Sequence, residues 1–412
     1  MDFKDKSCLV FDTGGGLFHA ERLARDFGKV WAFTPWADGS PKYENFCEGL
    51  GLDNVEKVTG PWEYVDKADL VVFLDVGWGD QVDYLRRHGK TVFGAGKGDK
   101  LENDRFYMRT LQKKLGLPTQ RTVQVEGVKG LREYLKDHPD KYVKLNIWRG
   151  NAESFYAKDL DSAEMMLDKL ESDFGPHKNQ YRFIVEDPIP DAVEIGMDAF
   201  FNGKDFIRPI LWGVEAGRPY IGQIVDELPA VLENFIAKIT PELRKLNYRG
   251  AISNELRVVS PTKAYLVDMT CRFPYPLSVI FTEAIVNYSE VMYKTAAGED
   301  VALEPRGKFV GCLPLSSPYT KENWLRIFFP KEELHRIKIN TPTKVGDAWY
   351  AVRGSDPAVN LIGIGNGVTH IITQMRELLP KVEAFDLDKS PLQKMYDIKD
   401  SFKKLRSMGV IS

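Results

Sequence analysis

The chain has 412 residues, 43% of them hydrophobic and 28% charged, with a formal net charge of −3. That is the composition of a soluble globular protein, long enough for roughly two to four domains, and it carries no global basic footprint for nucleic acid. No apolar run approaches the ~18 residues of a membrane span, and the opening MDFKDKSCLVFD, with acids around a short apolar core, is not expected to act as a signal peptide. Cys8, Cys47, Cys271 and Cys312 are scattered without a CxxC pair, and the six histidines are dispersed. This argues against a cysteine-built zinc site and suits a reducing, cytoplasmic setting.

The first hundred residues alternate short apolar strands with helices. SCLVFD reads as a strand, GGG as a turn and LFHAERLARDFG as a helix with a glycine stop; KVWAF, ADLVVFLD and KTVFG read as further strands, with the helix GDQVDYLRRHG between the last two. ADLVVFLD is continuously apolar, as a strand buried on both faces should be. This βαβ rhythm predicts a small doubly wound parallel sheet, so the fold class is α/β at the start. LENDRFYMRTLQKKLGLP then predicts one long amphipathic helix. From 119 to about 190 the pattern turns to α+β: RTVQV, the helix VKGLREYLKDH, KYVKLN, SFYAK, the helix DSAEMMLDKLESDFG and YRFIVED. Long strands dominate from about 191 to 285, and the last hundred residues hold more strands and a helix at GVTHIITQMRELLPKVEAF.

The stretch YLVDMTCRFPYP, Tyr265 to Pro276, sets Asp268, Thr270 and Arg272 two apart, so on a strand they share one face, with Val267, Met269 and Cys271 on the other. Glu255 lies thirteen residues before Asp268, across the polar turn SPTK. A tight antiparallel hairpin would bring the two carboxylates together, where they repel unless a cation bridges them. Hard cations such as Mg²⁺ take one or two carboxylates and draw their remaining oxygens from substrate phosphates. A cross-strand ion pair on a solvated face is the plainer alternative. Lys144 interrupts the apolar strand KYVKLN and is followed by the loop NIWRGNAES, which includes Gly150; a lysine beside such a loop suits polyphosphate. In FIVEDPIPDAVEIGMDAF, Glu186 ends one strand, Ile189 lies in the proline-rich connector, and Glu194 opens the next strand. Such a connector can read an adenine edge through its backbone, and a carboxylate such as Glu194 can accept from ribose hydroxyls.

In order and spacing these pieces resemble the ATP-grasp superfamily and, within it, the glycinamide ribonucleotide synthetases (phosphoribosylamine–glycine ligases), over nearly the whole chain. The similarity places Arg105, thirteen residues before Pro118, where that family has a lysine. Lys144 stands at its second ATP lysine, and Glu186 to Glu194 at its hinge, with one extra residue. Glu255, Asp268 and Thr270 stand at its metal ligands, Thr270 replacing an asparagine, and Arg272 at its arginine. VFGAGKGDKLENDR, TGGGLFHA and NLIGIGNGVTHIITQM resemble its VFGP…LEGSK, GSGGREHA and C-terminal lobe.

The resemblance implies an ATP-grasp fold with an N-terminal Rossmann-like domain and its linking helix at 1–117, a small lobe at 118–190, a large lobe with the metal site at 191–304 and a C-terminal lobe at 305–412. It implies ATP and Mg²⁺, or Mn²⁺ in its place, as cofactors. Arg105, Lys144, Gly150, Glu186, Ile189 and Glu194 would bind nucleotide; Lys144 and Arg272 would be catalytic. The implied reaction is ligation of a small-molecule carboxylate to an amine through an acyl phosphate. The acceptor motifs depart from the family: Leu17 and Phe18 replace an arginine and a glutamate, and RFPYPL replaces RFGDPE. The expected substrates are therefore not glycine and phosphoribosylamine, and Phe18, Tyr275 and Leu277 suggest a larger or more apolar one. A true glycinamide ribonucleotide synthetase and a non-catalytic nucleotide binder are the alternatives. A nucleic-acid acceptor draws no support from net charge, and nothing in the sequence sets the oligomeric state. DTGGGLFHA with Asp38 downstream also resembles a dinucleotide fingerprint, but His19 stands where a small residue is required.

Overall fold

The computed structural model describes residues 2–34, 47–147, 154–274 and 277–411. Its first sheet is parallel, in the order β3-β2-β1-β4-β5, formed by β1 (Ser7–Phe11), β2 (Lys29–Phe33), β3 (Val55–Lys57), β4 (Leu70–Phe73) and β5 (Val92–Phe93). In β1, Cys8, Leu9, Val10 and Phe11 are all buried, because the sheet is covered on both faces. The order of connection reverses between β1 and β4. The turns after these two strands meet there, and the Thr13 hydroxyl donates to Asp75 at 2.7 Å. Such a switch point is where open α/β sheets form a crevice.

The predicted long helix at 101–118 is instead two, Lys100–Asn103 and Arg105–Lys114. Asp104 between them is extended, and its carboxylate accepts from the Tyr107 backbone N–H at 2.9 Å. An aspartate that caps a new helix competes with continuation of the old one. The same carboxylate accepts from Asn146 Nδ2 at 3.2 Å, tying the second helix to the strand that carries Lys144.

Strands β6 (Thr122–Glu126), β7 (Lys141–Leu145), β8 (Ser154–Ala157) and β9 (Arg182–Glu186) form a four-stranded antiparallel sheet in the order β6-β9-β7-β8. Leu131 and Leu135 of the helix Gly127–Asp137, and Leu167 and Leu170 of the helix Leu160–Phe174, pack with Val143, Phe183 and Val185 in its core. Asp159 and Ser162 close a reciprocal capping box on the second helix.

The largest sheet has the order β14-β13-β10-β11-β12-β15-β20-β17. It is built from β10 (Val193–Asn202), β11 (Ile210–Glu215), β12 (Tyr220–Val225), β13 (Arg249–Ser260), β14 (Lys263–Thr270), β15 (Phe309–Leu315), β17 (Ile337–Ile339) and β20 (Val359–Gly365). Strands from beyond position 305 thus extend the sheet of 191–304 without a break in hydrogen bonding. β16 (Leu325–Ile327), β18 (Pro342–Val345) and β19 (Ala348–Ala351) form a small separate sheet. The sequence reading, in which long strands dominate this region, missed the helix Ala230–Lys245, which holds Pro241 in its interior. Its buried Phe235, Ile239 and Leu243 belong to the same core as Ile195 and Met197 of β10. Among the described residues no helix is long and apolar enough to cross a membrane.

Candidate active site

Glu255 stands opposite Asp268 across the β13–β14 ladder, and Ser253 opposite Thr270, as the hairpin reading requires. The next pair is Leu256 with Leu266, so Val267 is an extra residue on β14. This bulge corrects the expected strict alternation: Met269 and Cys271 are core residues at 1% exposure, whereas Val267 is only partly buried. Its carbonyl oxygen receives two side-chain donors, Lys144 Nζ at 3.2 Å and Arg109 Nη2 at 2.5 Å.

Two cations converge on Asp268. Lys144 Nζ, from β7, lies 3.8 Å from Asp268 Oδ2, and Arg105 Nη2 lies 3.5 Å from the same oxygen. Arg105 opens its helix and also donates from Nη1 to the Leu145 carbonyl at 2.7 Å. Both residues are 6% exposed, so their charges are gathered where the four-stranded and eight-stranded sheets meet. Arg109, one helical turn after Arg105, binds Glu186 through Nε and Nη2. Glu186 is 2% exposed and also accepts from the Thr122 hydroxyl at 3.1 Å. Burial opposes its ionisation, yet the Arg109 pair holds its carboxyl below the usual range. Glu186 anchors the connector from within, and Lys144 Nζ lies 3.8 Å from its Oε2. Sequence reasoning missed Arg109, whose partner is distant in the chain.

Arg272 leaves the end of β14 and is held from two sides. Its Nε lies 3.1 Å from Glu102 Oε1 and 3.1 Å from Asp75 Oδ1. Glu102 also accepts from the Cys271 backbone N–H at 2.6 Å. Glu102 and Asp75 were not foreseen, and the acids in LEND and VFLD were the only available signal.

Glu194 faces Arg257 across the β10–β13 ladder, with Oε2 and Nη2 2.7 Å apart, so its carboxylate is shared. Ile189 is half-buried between β9 and β10. Gly150, most of the 146–154 loop, Asp38, Tyr275 and Pro276 lie outside the described residues. A cavity of about 150 Å³ opens on the same sheet face, bordered by Glu194, Glu255, Thr270, Arg272 and Leu277 among others. Glu255 is pushed up to about 7, first by partial desolvation at the cavity wall, where its side chain still reaches solvent, then by Glu194 and Asp268. Neighbouring Glu215 is pushed up to about 8 for the same reasons, crowded by Glu255, Glu194 and Asp198. Among the described residues no three His, Cys, Asp or Glu side chains gather as a complete metal site. The Glu255–Asp268 pair supplies two carboxylates, the number magnesium takes when phosphates complete its shell. Their mutual repulsion is what a cation would relieve, so these residues fit Mg²⁺.

The N-terminal turn borders a small cavity of about 40 Å³ that it shares with Phe18, His19, Asp75 and Arg272. Leu17 and Phe18 are core residues at 1% exposure. His19 is buried as well, its ring stacked on Phe273 at 4.1 Å, with Nδ1 2.6 Å from the Tyr288 hydroxyl. The Gly16 N–H donates to Asp12 and the Gly15 N–H to Glu48, so carboxylates already occupy the positions where a dinucleotide fold offers N–H groups to phosphate. This removes the support for the dinucleotide reading.

No protein-family model and no curated protein sequence matches the chain. Solved structures do, and they share one architecture: the chain has the ATP-grasp fold. Among its bearers, phosphoribosylamine–glycine ligase from Thermotoga maritima is similar at a TM-score of 0.69 with 17% identity, covering 92% of this chain and 98% of that one. The biotin carboxylase domain of the Hydrogenobacter thermophilus 2-oxoglutarate carboxylase, in complex with MgADP, ADP and bicarbonate, is similar at a TM-score of 0.69 with 14% identity, covering 98% of each chain. N5-carboxyaminoimidazole synthetase from Staphylococcus aureus is similar at a TM-score of 0.60 with 11% identity, covering 91% of this chain and 97% of that one.

Proposed function

We propose that the protein is an ATP-dependent carboxylate–amine ligase that forms an amide through an acyl phosphate and releases ADP and phosphate. The observation that carries this reading is the convergence of Lys144 and Arg105 on Asp268, directly across the ladder from Glu255. Two cations beside two carboxylates, where two sheets meet, are what a metal–polyphosphate complex requires. Glu255 and Asp268 would hold Mg²⁺, with the Thr270 hydroxyl beside them; the ion would neutralise phosphate charge. Lys144 and Arg105 bind the phosphates, and the connector at Ile189 and the Glu194 carboxylate meet the adenosine. Arg272, steadied by Glu102 and Asp75, orients the substrate carboxylate with its planar fork. A carboxylate oxygen attacks the γ-phosphorus and ADP leaves. The amine nitrogen then attacks the acyl carbon, phosphate departs with the acyl oxygen, and the nitrogen loses a proton to water. The 146–154 loop would keep water from the acyl phosphate.

Glycine and phosphoribosylamine are not the proposed pair. Leu17 and Phe18 offer a sugar phosphate no polar partner, and sites that recognise polar groups lose far more by such changes than apolar pockets do. The test is turnover with Mg-ATP and a panel of carboxylates and amines. ADP with phosphate is the expected product pair, whereas AMP with pyrophosphate overturns the acyl-phosphate route. Efficient joining of glycine to phosphoribosylamine overturns the substrate assignment.

A further inference from the structure

A second cavity, of about 170 Å³, lies in the seam between the N-terminal parallel sheet with its helices and the C-terminal lobe. It shares no lining residue with the cavity at Glu255. One wall is the helix Leu17–Leu23 and the turn after it, through Glu21 and Arg25. The other is β17, through Ile337, Lys338 and Ile339, with Trp349 of β19 beside it. The seam is fastened next to the cavity. The Gly49 N–H donates to the Pro342 carbonyl at 2.7 Å, the Lys344 N–H donates to the Leu50 carbonyl at 2.9 Å, and Lys344 Nζ pairs with Asp53 at 2.7 Å. The space is thus built into a packed joint. An apolar cavity of about 150 Å³ takes up benzene, so this one has room for a small organic molecule.

Two kinds of polar group on its walls lack partners. The first is backbone. β17 is the last strand of the eight-stranded sheet and pairs on one side only, with β20, Lys338 opposite Asn360. The flanking bonds run from the Ile362 N–H to the Arg336 carbonyl and from the Asn340 N–H to the Ala358 carbonyl. In such a ladder the alternate residues turn their backbone groups to the opposite edge. Here these are Ile337 and Ile339, both buried, and among the described residues no strand pairs with that edge. Buried N–H and C=O groups require a partner. The second is Glu21, which among the described residues makes no hydrogen bond and no ion pair. Glu283 instead takes both nearby cations: Lys338 Nζ at 2.7 Å, and Arg25 through Nη1 at 3.1 Å and Nη2 at 2.5 Å. Burial raises the Glu21 carboxyl above its usual range, a cost that a bound ammonium group would relieve.

We infer that this joint is a binding site for a free α-amino acid with an aliphatic side chain, separate from the nucleotide cleft. The ligand's ammonium group donates to Glu21 and to a carbonyl on the open edge of β17. Its carboxylate accepts from an edge N–H and lies toward Lys338, whose ammonium has donors beyond the one facing Glu283. Its side chain meets Leu334 and the Trp349 ring. Charge balance selects the zwitterion. Glu21 and Glu283 against Arg25 and Lys338 sum to zero, so a ligand with one charge of each sign leaves no net charge in the joint, whereas a simple amine or a simple carboxylate would. The inference is independent of the ligase reading.

The experiment is titration calorimetry of the full chain with glycine, L-alanine, L-valine and L-leucine, and with two leucine derivatives. Affinity should rise with the aliphatic side chain. Leucinamide, which lacks the carboxylate, and N-acetyl-leucine, which lacks the ammonium group, should each bind at least tenfold more weakly than leucine. Glu21→Gln removes a charge without removing a native partner, so the variant should fold. It should weaken leucine at least tenfold and leave the affinity for Mg²⁺ with a non-hydrolysable ATP analogue unchanged. Leucine should raise the thermal midpoint of the unaltered chain and not that of the variant. If no amino acid of the series binds, or if either derivative binds as tightly as leucine, the inference is overturned. Both comparisons use the unaltered chain and hold whether or not the variant folds. Undiminished leucine affinity in folded Glu21→Gln also overturns it, because leucine would then be held elsewhere.

Discussion

Arg109 and Glu186 are 77 residues apart in sequence and meet as a two-pronged ion pair, Nε to Oε1 at 2.5 Å and Nη2 to Oε2 at 3.1 Å. Only 3% of Arg109 and 2% of Glu186 is exposed. With its donation to the Val267 carbonyl, Arg109 fastens its helix to both β9 and β14, and so fixes the distance between Arg105 and Asp268. Removing one member of a buried pair leaves the other charge uncompensated, at about 3–5 kcal/mol. Arg109→Met should lower unfolding stability by that amount in urea titrations, and the double variant Arg109→Met/Glu186→Met by less. A loss below about 1 kcal/mol in the single variant would mean that the pair is not the clamp described.

Lys144→Ala should weaken Mg-ATP binding at least tenfold, about 1.4 kcal/mol, because a phosphate contact in a nearly closed site is lost. Calorimetry on the folded variant decides this. Unchanged nucleotide affinity would remove Lys144 from the phosphate site and leave it as a structural partner of Val267.

Asp268→Asn and Glu255→Gln should each reduce turnover by orders of magnitude, since both supply charge to the metal rather than packing. Losing the Glu255 charge should relieve repulsion in the cleft, whereas Asp268→Asn removes the counter-charge of Lys144 and Arg105 and should lower stability while the fold persists. Steady-state kinetics across a Mg²⁺ series checks the assignment; near wild-type turnover in the double variant would make the two carboxylates a structural pair.

Between pH 6.5 and 8.5 the protein should lose stability as pH rises. Glu215 at about 8 and Glu255 at about 7 are raised, by partial desolvation and then by neighbouring acids, above an ordinary 4.5. Glu48, buried beside Asp12, is likewise pushed up to about 8. In this window the unfolded chain has already released these protons while the folded chain still holds them, so raising pH favours unfolding. His19, lowered to about 3 by burial from an ordinary 6.5, is neutral in the folded chain but still partly protonated in the unfolded one near pH 6.5, so it opposes the fall at the lower edge of the window and is silent above about pH 7.5. Thermal melts should show a falling midpoint across the window, and Glu215→Gln should flatten the fall. The same slope in that variant would falsify the assignment.

What the sequence disclosed and what it hid follow from how local each contact is. Glu255 and Asp268 were legible because a short turn joins their strands and side-chain period alone brings them together. The bulge at Val267 was not, since alternation by itself gives no sign that one residue is extra. The break at Asp104 and the helix Ala230–Lys245 went unseen for different reasons: one pattern looked continuous and was capped, the other lay in a region read as dominated by long strands. Asp198, Glu215 and Tyr220 share a cavity only because β10, β11 and β12 pair in a particular register. Arg109, Glu102 and Asp75 meet their partners across gaps that no spacing rule spans.

The eight-stranded sheet has one more consequence. β12, which carries Tyr220, is bonded on one side to β11 and on the other to β15, which lies beyond position 305. Cutting the chain before β15 would not detach an accessory piece. It would bare a row of unpaired N–H and C=O groups along the strand whose Tyr220 borders the cavity beside Glu255, the kind of surface on which foreign strands assemble. The C-terminal hundred residues thus serve as a selvedge, finishing an edge that would otherwise unravel into aggregation. Fragments made to isolate the nucleotide cleft should be cut elsewhere.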